Sequence, residues 1–438
     1  MKKNTLTLLL LLVILVLCES QVYAQGPWTK DANNPVLSGG GASGAWNRHV
    51  FCPHVLYNPD STRYEMWFCA TSEPFTDRPF RIGFATSPDG ITWTMYPDPV
   101  LEPAEGTWDE YTVEDPMVIR QEDGQYKMWY ASWGPESPGM IGYATSSDGI
   151  NWTKDMLNNP VMVPGPDSWQ VNGFSSPYVL SFEGGYKMWY TGWSANWDST
   201  NIGYATSPDG ISWTPDNIRN PVLMTGGDGR WDDSNLKFPN VLLIDNMYHM
   251  WYTGWSADWS SSNIGYATSP DGLTWTPDTL NNPILTPSSG KWDGLFVEQS
   301  AVILDTVMYE GDSLRMWYSG SRSPTLFYPV KIGHAIPLVN GIKGNYISFF
   351  PEEYSLAQNY PNPFNPSTKI EFTLPKSGFV KLEIFNTIGQ RLKLLLNKHL
   401  PAGNHEIEFN AEDLASGIYL YRIESGEWKE VKKMILLK

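Results

Sequence analysis

The chain has 438 residues, with 30 Lys+Arg against 47 Asp+Glu for a formal charge of -17; 14% are aromatic and only 18% charged. That composition, with 38 Gly and 34 Pro, excludes a disordered chain, a coiled coil and a charge-rich helical protein, and points to a turn-rich β protein. The acidic balance speaks against a nucleic-acid partner. Residues 25–349 hold 17 basic and 35 acidic residues while 350–438 hold 11 of each, and Trp428 alone of the 21 Trp follows residue 350, so two different domains share the chain.

Residues 1–24 open with Lys2 and Lys3, continue through an apolar run from Leu8 to Leu17, and close on Val22-Tyr23-Ala24. This is the pattern of a secretory signal peptide, too short in its apolar part to span a bilayer. No later stretch approaches the 18 or so apolar residues of a transmembrane helix, so no membrane anchor is expected. The mature chain keeps two cysteines, Cys52 and Cys69.

From residue 25 to about 340 the chain repeats itself. Met-Trp recurs at 66, 128, 188, 250 and 316, each time followed by an Ile-Gly strand, and in the first four repeats by a Pro-Asp-Gly or Ser-Asp-Gly turn and a Trp-Thr strand. Four short antiparallel strands per repeat is the content of a propeller blade. The fifth repeat stops at Lys331-Ile332-Gly333-His334-Ala335, and its missing strand is found upstream at Trp28-Thr29-Lys30. The fold expected is therefore all-β: a five-bladed β-propeller closed by an N-terminal strand, which removes an exposed sheet edge, followed by a small C-terminal β-sandwich.

Paired antiparallel residues have a constant sum of numbers, so the hairpins can be registered by arithmetic. Asp115 opposite Ala131, Ser176 opposite Thr191 and Phe238 opposite Thr253 all centre on credible turns. The same positions in the first repeat are Cys52 and Cys69, and in an exported protein this juxtaposition leads us to expect a disulfide. No His/Cys metal cluster is legible in the spacing, and no cofactor is expected. The repeated turn aspartates Asp89, Asp148, Asp209 and Asp271 read as turn chemistry.

The innermost strands line the axis, and there the repeats diverge: His49 to Pro53, Thr112 to Pro116, Gly173 to Pro177, Asn235 to Pro239 and Phe296 to Ser300. One asymmetric site would produce such divergence; neutralising charges filling a channel would also place Glu114, Lys237 and Glu298 there. Glu114 and Glu298 occupy the same aligned position and are the expected acid/base pair, with Asp115 as the alternative in the second repeat. Lys237 would hold one carboxylate ionised, and Arg48 and His49 would contact sugar hydroxyls. Trp133, Trp193, Trp197, Trp255 and Trp259 are assigned to loops on the same face, where rings suit stacking on sugars, although packing between neighbouring loops would also use them.

These features resemble the five-bladed glycoside hydrolases of the arabinanase, fructosidase and mannoside-phosphorylase type. Val113-Glu114-Asp115-Pro116 is similar to the Glu-Asp-Pro-Arg motif of the mannoside phosphorylases, with Met117 at the arginine position; Cys52 or His49 stands where the arabinanase type places a general-base aspartate. The C-terminal segment resembles the sorting domain of type IX secretion substrates, from Ser355-Leu356-Ala357-Gln358-Asn359-Tyr360-Pro361-Asn362-Pro363-Phe364 to Lys432-Lys433-Met434-Ile435-Leu436-Leu437-Lys438. The resemblances imply a carbohydrate partner, the type IX translocon as a second partner, and a secreted or outer-surface location reached through the periplasm. Expected domains are a signal peptide over 1–24, a propeller over 25–340, a linker over 341–353 and a sorting sandwich over 354–438. The expected function is a glycoside hydrolase acting on an extracellular poly- or oligosaccharide; the alternative is a non-catalytic carbohydrate-binding or surface-adhesion propeller.

Overall fold

The computed structural model describes residues 27–40, 44–72, 79–135, 137–165, 169–195, 199–227, 229–257, 260–305, 313–323, 330–337, 354–374, 378–400, 403–426 and 428–438. The expected signal peptide and linker, Trp197 and Trp259 lie outside the described residues. Among the described residues every regular element is a strand and none is a helix. The chain divides into two compact units, residues 1–305 with 313–341, and residues 306–312 with 342–438.

In the first unit β1 (Trp28–Lys30) is followed by β2 (His49–Asn58), β3 (Arg63–Thr71), β4 (Arg81–Ser87) and β5 (Thr94–Met95), and β2 to β5 pair in order. The same four-strand order recurs in β6 (Glu114–Arg120), β7 (Tyr126–Gly134), β8 (Ser137–Ser146) and β9 (Thr153–Lys154). It recurs again in β10 (Phe174–Phe182), β11 (Gly185–Trp193), β12 (Thr200–Ser207) and β13 (Thr214–Pro215), and in β14 (Asn235–Ile244), β15 (Met247–Trp255), β16 (Ser262–Ser269) and β17 (Thr276–Pro277). The last repeat has β18 (Phe296–Asp305), β19 (Ser313–Ser321) and β20 (Lys331–Pro337), and β1 pairs antiparallel with β20, Thr29 opposite Ile336. The N-terminal strand thus supplies the fourth strand of the last repeat.

Each repeat is tied to the next by the same contacts. The Trp of each Met-Trp pair is fully buried, and its indole N–H reaches the turn of the following repeat: Trp67 to Gly149 O at 2.8 Å, Trp129 to Gly210 O at 2.7 Å, Trp189 to Gly272 O at 2.8 Å and Trp317 to Gly90 O at 2.8 Å. Gly149 is required there twice over: its φ is +75°, and a Cβ would sit 2.9 Å from the Trp67 ring. The last repeat has no such turn, and Trp251 Nε1 finds no partner among the described residues, meeting Trp28 of β1 edge-on at 6.4 Å. In the second repeat Lys154 joins Asp109 at 2.6 Å beneath the Tyr130 hydroxyl, and Lys30 of β1 joins Asp293 at 2.5 Å beneath that of Tyr318. The cycle closes where Val50 N–H donates to Val330 O at 3.1 Å.

The turn aspartates do what their pattern suggests. Asp148 Oδ1 accepts from the N–H groups of Ile150 and Asn151 at 2.9 and 2.7 Å, and these bonds outweigh partial burial to hold its pKa down to about 2.

The outer half of each first hairpin has the expected register: Met117 faces Trp129, Tyr178 faces Trp189 and Asn240 faces Trp251. The inner half differs by one residue. Glu114, not Asp115, faces Ala131; Ser175, not Ser176, faces Thr191; Lys237, not Phe238, faces Thr253; and Phe51, not Cys52, faces Cys69. A β-bulge sits between, with Cys52, Asp115, Ser176, Phe238 and Gln299 at φ of 49, 52, 52, 55 and 57°. Left-handed backbone costs a side chain about 1–2 kcal/mol, and here it is held by a repeated bond. The bulge N–H of one repeat donates to a side chain on the second strand of the repeat before: Asp115 to Cys69 Sγ at 3.0 Å, Phe238 to Thr191 Oγ1 at 3.1 Å, Gln299 to Thr253 Oγ1 at 3.0 Å and Cys52 to Ser319 Oγ at 3.0 Å. Ala131 offers no acceptor, and Asp115 Oδ2 takes the Ser176 N–H instead at 2.9 Å.

The second unit has two sheets around one apolar core. In the first, β21 (Ser355–Leu356) pairs with β22 (Ser367–Leu374), which pairs with β25 (Gly403–Asn410); in the second, the strands lie in the order β24 (Arg391–Leu400), β23 (Gly378–Phe385), β26 (Gly417–Ser425) and β27 (Trp428–Leu436). Alternate residues Ile370, Phe372 and Leu374 are buried, as period-2 patterning demands. The Asn-Tyr-Pro-Asn-Pro segment is pinned by Asn359, whose N–H donates to Tyr421 Oη at 2.9 Å and whose amide donates to Thr368 Oγ1 at 2.9 Å. The buried Glu383 gathers Lys381, Arg391 and Arg422 at 2.9, 3.1 and 2.9 Å.

Candidate functional site

The position just before each bulge reads Phe51, Glu114, Ser175, Lys237 and Glu298, five different side chains on one repeated backbone. Three tryptophans surround them. Trp133 Nε1 donates to Glu114 Oε1, Trp193 Nε1 donates to Ser175 Oγ at 2.9 Å, and Lys237 Nζ lies 4.2 Å from the Trp193 ring centroid and 5.9 Å from that of Trp255. Lys237 is buried and Glu298 half-buried. Burial pushes the Glu298 carboxyl up to about 7, against the pull of the Lys237 charge and a hydrogen bond from Trp255. Burial also draws the Lys237 ammonium down to about 8, opposed by Glu298 and Asp115. The arrangement holds a carboxyl poised to exchange its proton near neutrality beside a partly desolvated cation.

The bulge residues line a cavity of about 50 Å³ with Pro53, His54, Pro116, Pro177, Tyr178, Pro239, Asn240 and Ser300. Asp115 is heavily committed there: Oδ1 accepts from Cys52 Sγ at 2.9 Å, and Oδ2 accepts from both the N–H and the hydroxyl of Ser176 at 2.9 Å. Burial raises its pKa, while these donors and Lys237 oppose the rise. Cys52 and Cys69 are both free and buried. This corrects the expected disulfide: the bulge puts Phe51 opposite Cys69, the Cys52 thiol donates to Asp115, and Cys69 Sγ fills the acceptor position that Thr191, Thr253 and Ser319 fill elsewhere. Burial, aided by the nearby carboxylates, raises both thiols, Cys69 to about 11.

The site residues expected from sequence are placed as follows. Lys237, Glu298 and Asp115 form one electrostatic cluster. Glu114 is buried against Trp133, and its charge is felt at Cys69. Trp133, Trp193 and Trp255 are not loop residues: Trp193 and Trp255 end β11 and β15, and Trp133 is the next-to-last residue of β7. They therefore form the wall of the cluster, with the Trp255 ring tilted 33° against that of Phe296 at 4.9 Å. His49 is buried at the junction of the first and last repeats, where its Nδ1 accepts from Val330 N–H at 3.4 Å, and Arg48 beside it is half-buried. Sequence reasoning missed the cavity side chains Ser176, Asn240, Gln299 and Ser300. The available signal was Pro after the bulge position in the first four repeats, with Ser300 in the fifth.

Residues 358–437 match the secretion system C-terminal sorting domain. The chain is 30% identical over 201 residues to an uncharacterized protein of Mycobacterium tuberculosis, covering 44% of this chain and 61% of that one. It is 29% identical over 204 residues to a 1,2-beta-oligomannan phosphorylase of Thermoanaerobacter sp., with the same coverage. The chain thus spans about 61% of the length of these curated relatives. Among solved structures it resembles a glycosyl hydrolase from Bacteroides ovatus, with a TM-score of 0.56 and 22% identity over 72% of this chain and 94% of that one. That likeness is one of fold, an all-β propeller of the glycosidase kind.

Proposed function

We propose that the first unit is a five-bladed propeller that hydrolyses an extracellular poly- or oligosaccharide, and that the second is a sorting sandwich that directs its export through the type IX translocon to the cell surface or medium. The observation that carries the enzymatic reading is the loss of repeat symmetry at the position just before each bulge. There Glu114, Lys237 and Glu298 stand among Trp133, Trp193 and Trp255, while the contacts joining the repeats are preserved almost unchanged.

Glycoside hydrolysis needs a carboxylic acid to protonate the leaving oxygen and a carboxylate to activate water or attack carbon. Glu298, protonated up to about pH 7, suits the first role. Glu114, in the second repeat, takes the second role. Asp115, its oxygens already holding Cys52 and Ser176, acts as a positioning residue. Phosphorolysis, the activity named for one relative, is disfavoured because Met117 is buried opposite Trp129 where a phosphate-binding arginine would stand. Trp193 and Trp255 supply apolar surface that favours a neutral glycan, with β-1,2-linked mannan the first to try.

Incubation of the mature protein with mannans, arabinans and fructans, reading new reducing ends with and without phosphate, tests this. Phosphate-independent release that is lost in Glu298→Gln supports it. The competing reading is a glycan-binding propeller, favoured by Cys52 or His49 standing in the first repeat where the arabinanase type has its aspartate; glycan binding with no release from any substrate would select it.

A further inference from the structure

We propose that Cys52, Cys69 and Asp115 form a binding site for a thiophilic divalent cation such as Zn2+, with a water from the axial cavity as fourth ligand. The two sulfurs and one carboxylate oxygen lie within 4.8 Å of one another, and all three residues are buried. A tetrahedral zinc bonded to two thiolates and a carboxylate sets its ligand atoms about 3.5–3.8 Å apart, which that cluster accommodates. Sulfur donors select zinc-like ions over calcium or magnesium, which take oxygen ligands.

The set arises at one place in the cycle. Positions equivalent to Cys52 carry Asp115, Ser176, Phe238 and Gln299, and those equivalent to Cys69 carry Ala131, Thr191, Thr253 and Ser319. Both cysteines left after the expected leader therefore fall in one repeat, and the acid that completes the set is the bulge residue of the next. The surroundings suit a bound ion. Asp115 Oδ2 is fixed by the Ser176 N–H and hydroxyl, leaving Oδ1 toward Cys52, and Asp115 N–H already donates to Cys69 Sγ at 3.0 Å. Hydrogen bonds of this kind to a thiolate and to the second oxygen of a ligating carboxylate support metal ligands from outside. The cavity of about 50 Å³ bordered by Cys52 and Asp115 exceeds the roughly 10–15 Å³ one water needs.

Binding releases two protons. The Cys52 and Cys69 S–H bonds break, two metal–sulfur bonds form, and the hydrogen bond from Cys52 to Asp115 gives way to a metal–oxygen bond. Two thiolates and one carboxylate on a dication leave one negative charge, which the nearby Lys237 offsets.

The test uses the mature full-length protein, reduced and freed of chelator under nitrogen, titrated with CoCl2 and then ZnCl2. One equivalent of cobalt should give a near-ultraviolet thiolate-to-metal charge-transfer band, and zinc should erase it. Cys52→Ser and Cys69→Ser should each weaken the band and lower zinc affinity roughly tenfold or more. Serine keeps the donor to Asp115 in one variant and the acceptor for its N–H in the other, as Ser319 does natively, so both should fold; if one does not, the other gives the same reading. Absence of the band, or a band and a zinc affinity unchanged in the folded variants, would overturn the proposal.

Discussion

Thr253→Val tests how the bulges are held. Thr253 is fully buried and its Oγ1 accepts from Gln299 N–H at 3.0 Å. Valine keeps the shape but removes the acceptor, leaving a buried N–H unpaired at about 1–3 kcal/mol. At about 2.1 cal/mol/K per residue, a unit of roughly 310 residues unfolds with about 0.65 kcal/mol/K of entropy, so the midpoint should fall by about 1.5–5 °C. Thr253→Ser keeps the oxygen and loses one methyl, about 0.8 kcal/mol or roughly 1 °C. Thermal unfolding followed by tryptophan fluorescence reports mainly on the first unit, since Trp428 alone lies beyond residue 350. A valine variant that melts with the wild type, or a serine variant as unstable as the valine one, would refute this account of the bulges.

With Glu298 as proton donor, hydrolysis should decline as pH rises through about 7, where its raised pKa places loss of the proton. Lys237→Met removes the charge that pulls this pKa down and should move the decline to higher pH; a pH–rate profile rising through 7 would make Glu298 a base instead. In the second unit, Lys381, Arg422 and Arg391 overcome the burial of Glu383 and hold it down to about 2. A depressed carboxylate stabilises above its unfolded pKa of about 4.3. The contribution should therefore be lost as pH falls from about 4.5 toward 2, and Glu383→Gln should lower stability at pH 7 and flatten that acid dependence in unfolding measurements on the mature protein. Deleting residues 354–438 should leave a folded propeller in the periplasm and none in the medium or on the surface, as read by fractionation and circular dichroism; an insoluble product would place the domain boundary elsewhere.

The repeat, its turns and the closing strand were legible because they rest on local chemistry: Met-Trp at fixed spacing, Asp-Gly turns, and Trp28-Thr29-Lys30 matching the strand the last repeat lacks. The hairpin sums were also right from the turn inward as far as Met117 and Trp129. They failed at the bulge, because Asp115, Phe238 and Gln299 adopt left-handed backbone without the glycine that usually signals it. That one-residue step undid the disulfide and made Cys69 a hydrogen-bond acceptor between repeats. Glu114, Lys237 and Glu298 were found from their shared alignment position alone. Which of them interact was not legible, because the placement of Lys237 between Trp193 and Trp255 depends on side-chain packing across repeats.

The most direct test of the central claim is release of reducing sugar from a glycan panel by the mature protein, compared with Glu298→Gln and Glu114→Gln at equal glycan binding. The account predicts phosphate-independent turnover by the wild type and a loss of at least about a hundredfold in each variant, the lower end of what general acid–base catalysis contributes. Undiminished turnover in both variants would contradict it.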